Sequence, residues 1–117
     1  MNITRNTRIK PSKEKQLWIG KVEVRPLKGS RILEDAKGAF VNIVTWARDA
    51  DEFTRRADLV LSGLGLFVVD VENPEPVPTR REKAVLEEAI EDMIARAQDN
   101  PNAIIYGTFH MWDQDTA

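Results

Sequence analysis

The chain has 117 residues, 42% of them apolar and 31% charged, with no cysteine and a single histidine. That length suits one domain around one hydrophobic core. The composition excludes a disulfide framework, thiolate catalysis, cysteine-based zinc sites and multi-histidine metal sites.

No apolar run approaches the roughly 20 residues that cross a bilayer. The segment from Met1 to Lys10 lacks the apolar stretch of a secretory signal. A cytoplasmic protein of bacterial style, without membrane contact, is expected. The net charge of −2 is unevenly spread. Residues 1–31 carry nine bases and two acids, and residues 32–117 carry eight bases and seventeen acids. Such asymmetry can signal an arm that seeks an anionic partner. A solvated tail is the first expectation, since chain ends are commonly loose and polar, and docking on an acidic face, its own or a neighbour's, is the second.

Residues 1–16 read as that arm, irregular and basic, and residues 17–117 as a single domain. Asn2, Asn6, Pro11 and Ser12 interrupt any periodicity in the arm. It holds no aromatic side chain on which a base would stack. With an acidic remainder opposing phosphate contact, nucleic acid is not an expected partner.

Residues 17–25 alternate as a half-buried strand, with Trp18, Gly20, Val22 and Val24 on one face. Pro26 ends it. A short helical turn is expected over Arg31–Lys37, burying Ile32, Leu33 and Ala36 and stopping at Gly38. Residues 39–47 form the strongest strand. Phe40, Asn42, Val44 and Trp46 lie on one face, and Val41, Ile43, Thr45 and Ala47 on the other. A strand apolar on both faces is central and covered twice.

Asp49 opens a helix with the spacing of a capping box to Glu52. Phe53, Ala57, Val60, Leu61 and Leu64 make one apolar stripe. Leu66–Glu72 is the third strand, with Phe67, Val69 and Val71 on one face and Leu66, Val68, Asp70 and Glu72 on the other. Three prolines make 73–78 an extended connector. A long helix is then expected over about Arg80–Gln98, its stripe running from Val85 and Leu86 through Ile90, Met93 and Ile94 to Ala97. Ala103–Phe109 is the last strand.

These elements predict an α+β domain: a two-layer sandwich with a four-stranded mixed sheet and two main helices on one face. Two βαβ-like crossovers follow the second strand, right-handed by default.

Catalytic constellations are scarce. There is neither a GxxxxGK[ST] nor a GxGxxG phosphate loop. Gly63 and Gly65 follow a helix, whereas a phosphate cradle must precede one. Glu87, Glu88, Glu91 and Asp92 read as a solvated helix face. The sole imidazole, His110, shares a strand face with Tyr106 by alternation. It would serve as a base if Asp70 or Glu72 oriented it. No catalytic residue, metal ligand or cofactor is assigned.

The aromatic residues are more informative. Trp18, Trp46, Tyr106, His110 and Trp112 are the candidate partner-binding residues, because aromatic side chains concentrate at binding hot spots. Leu17, Ile19, Leu66, Val68 and Ile104 occupy a second sheet face for which the sequence supplies no helical cover. The expected function is a non-enzymatic protein-interaction module that self-associates or binds another protein. Small immunity, inhibitor or regulatory proteins are the analogous class. The alternatives are a ligand-binding domain or small enzyme using His110, and a nucleic-acid binder acting through the arm.

Overall fold

The computed structural model describes residues 14–112. The predicted basic arm therefore lies, except for its last three residues, outside the described residues. Among those described, the order is β1 (Gln16–Pro26), β2 (Gly38–Ala47), α1 (Ala50–Gly63), β3 (Leu66–Pro76), α2 (Val77–Lys83), α3 (Glu88–Gln98), β4 (Ile104–Tyr106) and β5 (His110–Trp112). The fold is α+β, as expected. The sheet runs β3-β1-β2-β4, with β5 also on β2. Both β4 and β5 pair with β2, so they act as one interrupted fourth strand.

Every pairing is antiparallel, which corrects the mixed sheet. Among the described residues, one connection is a true crossover between parallel strands. β2 and β3 both run against β1, which lies between them, and α1 carries the chain from the end of β2 back to the start of β3. α1 therefore travels the length of one face. The connection from β3 to β4 joins antiparallel strands and stays at one end of the sheet.

That difference places the helices on opposite faces, in three layers instead of two. On the first face Val22, Val24, Val41 and Ile43 pack with Phe53, Ala57 and Leu61 of α1. On the second, Leu17, Ile19 and Val44 pack with Val77 of α2 and with Ile90, Met93, Ile94 and Ala97 of α3. Because α2 and α3 stay near the start of β1, they cover only that end of the second face. Among the described residues, no helix lies above the face beyond Ile19 and Val44.

β1, β2 and α1 follow the sequence pattern closely. The Asp49 side chain accepts the Glu52 N–H at 2.9 Å, and Phe53, Ala57 and Leu61 are buried. Glu52 in turn accepts the Arg48 N–H at 2.7 Å. Between β1 and β2 the chain makes consecutive turns and no helix, with Glu34 at φ 55°. Leu33 and Ala36 are nevertheless buried there.

Three irregularities depart from local alternation. In β3, Glu23 and Val24 of β1 oppose Asp70 and Val68, leaving Val69 as an extra residue. The bulge inverts the expected faces: Leu66, Val68 and Val71 reach the α1 core, while Phe67 is 57% exposed. A second bulge opposes Ile19 and Lys21 to Glu75 and Glu72. It sits beside Gly20, where an added Cβ would lie 2.8 Å from the Phe53 ring and 3.3 Å from Pro74 Cα. The third separates β4 from β5. Four residues of β2, Ile43 to Phe40, match five from Tyr106 to His110.

The expected long helix is broken. α2 ends at Lys83, and Ala84 is extended at φ −161°. α3 begins only at Glu88. Val85, placed on the apolar stripe by sequence, is 98% exposed. The break lets Val77 and Ile90–Ala97 both reach the second-face core, although the connection must turn to cross the end of the sheet. Pro78 sits in the first turn of α2, where its missing N–H costs nothing.

Candidate functional site: the open half of the second sheet face

The uncovered half of the second face is a four-strand platform whose register fixes its side chains. From β3 come Glu72, Asp70 and Phe67, opposite Lys21, Glu23 and Arg25 of β1. Lys21 and Glu23 in turn oppose Asn42 and Phe40 of β2. His110 of β5 opposes Phe40, and Trp112 opposes Gly38. Directly paired antiparallel residues point to the same face, so these side chains form one surface.

Two cations lie against aromatic rings on it. The Arg25 guanidinium is 5.0 Å from the Trp112 ring centre, and the Lys21 ammonium is 5.5 Å from that of Phe40. Both fall within cation–π range. Gly38 makes the first pair possible, because a Cβ there would collide with the Trp112 indole. The Trp112 backbone is anchored by the Lys37 N–H, which donates to its carbonyl at 3.1 Å. Its indole N–H is covered and has no partner among the described residues.

Where the platform meets α2, a cleft of about 330 Å³ is lined by Lys21, Asn42, Glu72, Asn73, Glu75, Arg80 and Lys83. Glu75 is held between two bases. Lys83 lies 2.6 Å from it, and the Arg80 guanidinium donates to its other oxygen. Those bonds, Lys83 first and Arg80 second, hold the Glu75 carboxyl below its ordinary pKa, against the raising effect of burial. Arg80 also donates to the Asn73 carbonyl at 2.8 Å. These cations are thus committed to tying α2 onto β3.

The sequence candidates do not assemble into one patch. Trp18 is on the α1 face, its ring 6.5 Å from that of Phe53. Trp46 is on the second face but at the covered end, donating its indole N–H to the Ala97 carbonyl at 2.9 Å. Tyr106 is at the α1-face edge, 5.7 Å from Phe109 between ring centres. His110 and Trp112 belong to the open platform. Arg25, Phe40 and Phe67 join them. Phe40 was visible by alternation, whereas Phe67 was hidden by the β3 bulge.

The arrangement of His110 with Tyr106 and Asp70 is not formed. Tyr106 opposes Ile43 and His110 opposes Phe40, so the two point to opposite faces. His110 and Asp70 share a face but are separated by β2 and β1. Three strand steps are roughly 14 Å, beyond hydrogen-bond reach.

The carboxylates of α3 are partly engaged: Arg81 pairs with Glu91, and Arg96 lies 3.2 Å from Asp92. Among the described residues, no cluster of three His, Asp or Glu is arranged to hold a metal ion. No helix among them is long and apolar enough to cross a membrane.

The premise of an uncovered apolar face also changes. Leu17, Ile19 and Leu66 are buried, and Val68 and Ile104 pack on the α1 core. What remains open is mixed aromatic and charged surface. No family model matches this chain, and neither the curated proteins nor the solved structures compared with it give a match.

Proposed function

We propose that the protein is a non-enzymatic interaction module that self-associates through the open half of its second sheet face. The observation that carries this reading is the Arg25–Trp112 pair beside Phe40, Phe67 and His110, on a platform that no helix among the described residues covers. Arginine and aromatic side chains anchor protein interfaces.

A second copy is the occupant we assign, on grounds of charge. The platform carries two bases and one acid on β1, Lys21, Arg25 and Glu23, and two acids on β3, Asp70 and Glu72. A copy turned over upon it can set acids of one chain against bases of the other, which favours register and orientation. A regulatory, inhibitor or immunity role in a cytoplasmic, bacterial-style setting accords with a domain whose described residues assemble no catalytic set around His110.

Sedimentation of the full chain at micromolar concentration tests the reading. More than one chain per particle is expected, and Trp112→Ala should shift the particle toward one chain while the thermal melt stays cooperative. A monomer at every concentration, or an oligomer indifferent to Trp112→Ala and to Arg25→Glu, overturns it.

A further inference from the structure

A different part of the molecule presents a second docking element. β3 is the edge of the sheet, and among the described residues no strand pairs its outer side. An edge of that kind offers a row of backbone N–H and C=O groups to an incoming strand. β3 spans Leu66–Pro76, eleven residues, well above the usual strand length. Its far end is closed to pairing by Asn73 at φ 50°, Pro74 and Pro76. The usable stretch is therefore Leu66–Glu72, which includes Phe67 at 57% exposure and Val69 at 42%.

The chemistry of this edge is one-sided. Leu66–Pro76 contains Asp70, Glu72 and Glu75 and no base. Natural edges are blunted by charge, proline and bulges; the charge on this one is wholly acidic, so it disfavours acidic strands and not basic ones. Like charges directly opposite one another disfavour pairing of strands, so an acidic strand is a poor match for this edge. A basic strand with apolar or β-branched alternate residues answers both features. Its cations would lie on the face of Asp70, Glu72 and Phe67, and its apolar side chains on the face of Val68 and Val71.

We propose that the outer edge of β3, from Leu66 to Glu72, receives an extended basic peptide segment of a partner protein as an added strand. Backbone bonds along the edge supply the affinity, and Asp70 and Glu72 select the charge. This site shares Phe67, Asp70 and Glu72 with the platform but takes its hydrogen bonds from the backbone rim of β3, so protection of the edge amides by peptide tells it apart from self-association through the face.

Amide hydrogen exchange on the full-length protein, with a synthetic nine-residue peptide of alternating lysine and valine, tests the proposal. Slowed exchange within Phe67–Val71 on adding the peptide is expected. The same peptide with glutamate in place of lysine should give none. Reversing both charges, Asp70→Lys with Glu72→Lys, should weaken binding of the lysine peptide about tenfold, from two cross-strand pairs turned from attraction to repulsion. A cooperative melt of that variant confirms that it folds.

Binding of the lysine peptide without protection of these amides overturns the proposal, as does equal binding of the glutamate peptide. So do edge amides already protected in the free full-length chain, because the edge would then be occupied from within. Absence of binding to a folded protein overturns it as well.

Discussion

The indole of Trp112 occupies the space that a side chain at Gly38 would fill. The two residues are register partners in β5 and β2. The glycine is thus required by close approach and not by backbone conformation, and the contact fixes the last described strand to the sheet. Gly38→Ala forces the indole or β2 to move. Overpacking of this kind costs about 1–3 kcal/mol. The expected result is a lower midpoint in urea, with a change in tryptophan emission as the indole shifts. An unchanged midpoint and spectrum would remove the glycine's packing role.

Thr45 is the sole buried polar side chain among the described residues. Its hydroxyl donates to the Ala103 carbonyl at 2.7 Å and accepts from Arg56 Nε at 3.0 Å. One atom thereby links β2, α1 and the entry to β4. Thr45→Val keeps the shape but leaves a carbonyl and a guanidinium N–H without that partner, at a cost of about 1–3 kcal/mol. Thr45→Ser should retain most of the stability. Denaturant melts of the two variants make the comparison, and equal stability would show that the bonds contribute nothing net.

Glu75 gives the fold an acid sensitivity. Its carboxyl sits below its ordinary pKa, through Lys83 first and Arg80 second. The folded state therefore holds the proton less tightly than the unfolded state. The resulting stability is fully present above the ordinary carboxylate pKa and is lost as pH falls through the lowered one. Glu75→Gln should flatten this part of the stability curve at acid pH while destabilising the protein at neutral pH. Thermal melts across that range follow it. An acid limb of unchanged slope in the variant would assign the sensitivity elsewhere.

The break between α2 and α3 separates two residues that local periodicity had joined. Val85 is 98% exposed and Ile90 is 7% exposed. Val85→Ser should change stability by no more than about 0.5 kcal/mol, as for an unengaged surface position. Ile90→Ala should cost about 2–5 kcal/mol through lost burial and the cavity left against Ile19 and Val44. Similar losses at both positions would mean that one continuous helix presents both to the core.

Much of the fold was legible because its causes are local. The Asp49 cap, the Phe53–Leu61 stripe and the strict alternation of β1 and β2 each depend on residues a few positions apart, and each is present as expected. The existence of β3 and of the final strand was legible for the same reason. The candidate site was legible in part: His110 and Trp112 do share a surface, whereas Trp18, Trp46 and Tyr106 lie on other ground.

By itself, then, the sequence determined where β1, β2, α1 and the start of β3 lie and which side chains are apolar enough to need burial, but neither the turns at 31–37 nor the break between α2 and α3. The tertiary structure alone decided which face each side chain takes. Strand alternation has a period of two, so a single extra residue exchanges the two faces beyond it. Val69 did so in β3, and the extra residue between Tyr106 and His110 did so in the last strand. Pairing direction was decided there too. With β4 antiparallel to β2, the connection after β3 remains at one end of the sheet, so α3 covers half a face. The exposed platform exists because a helix is confined to the end it crosses, and no local pattern in the chain records where that end lies.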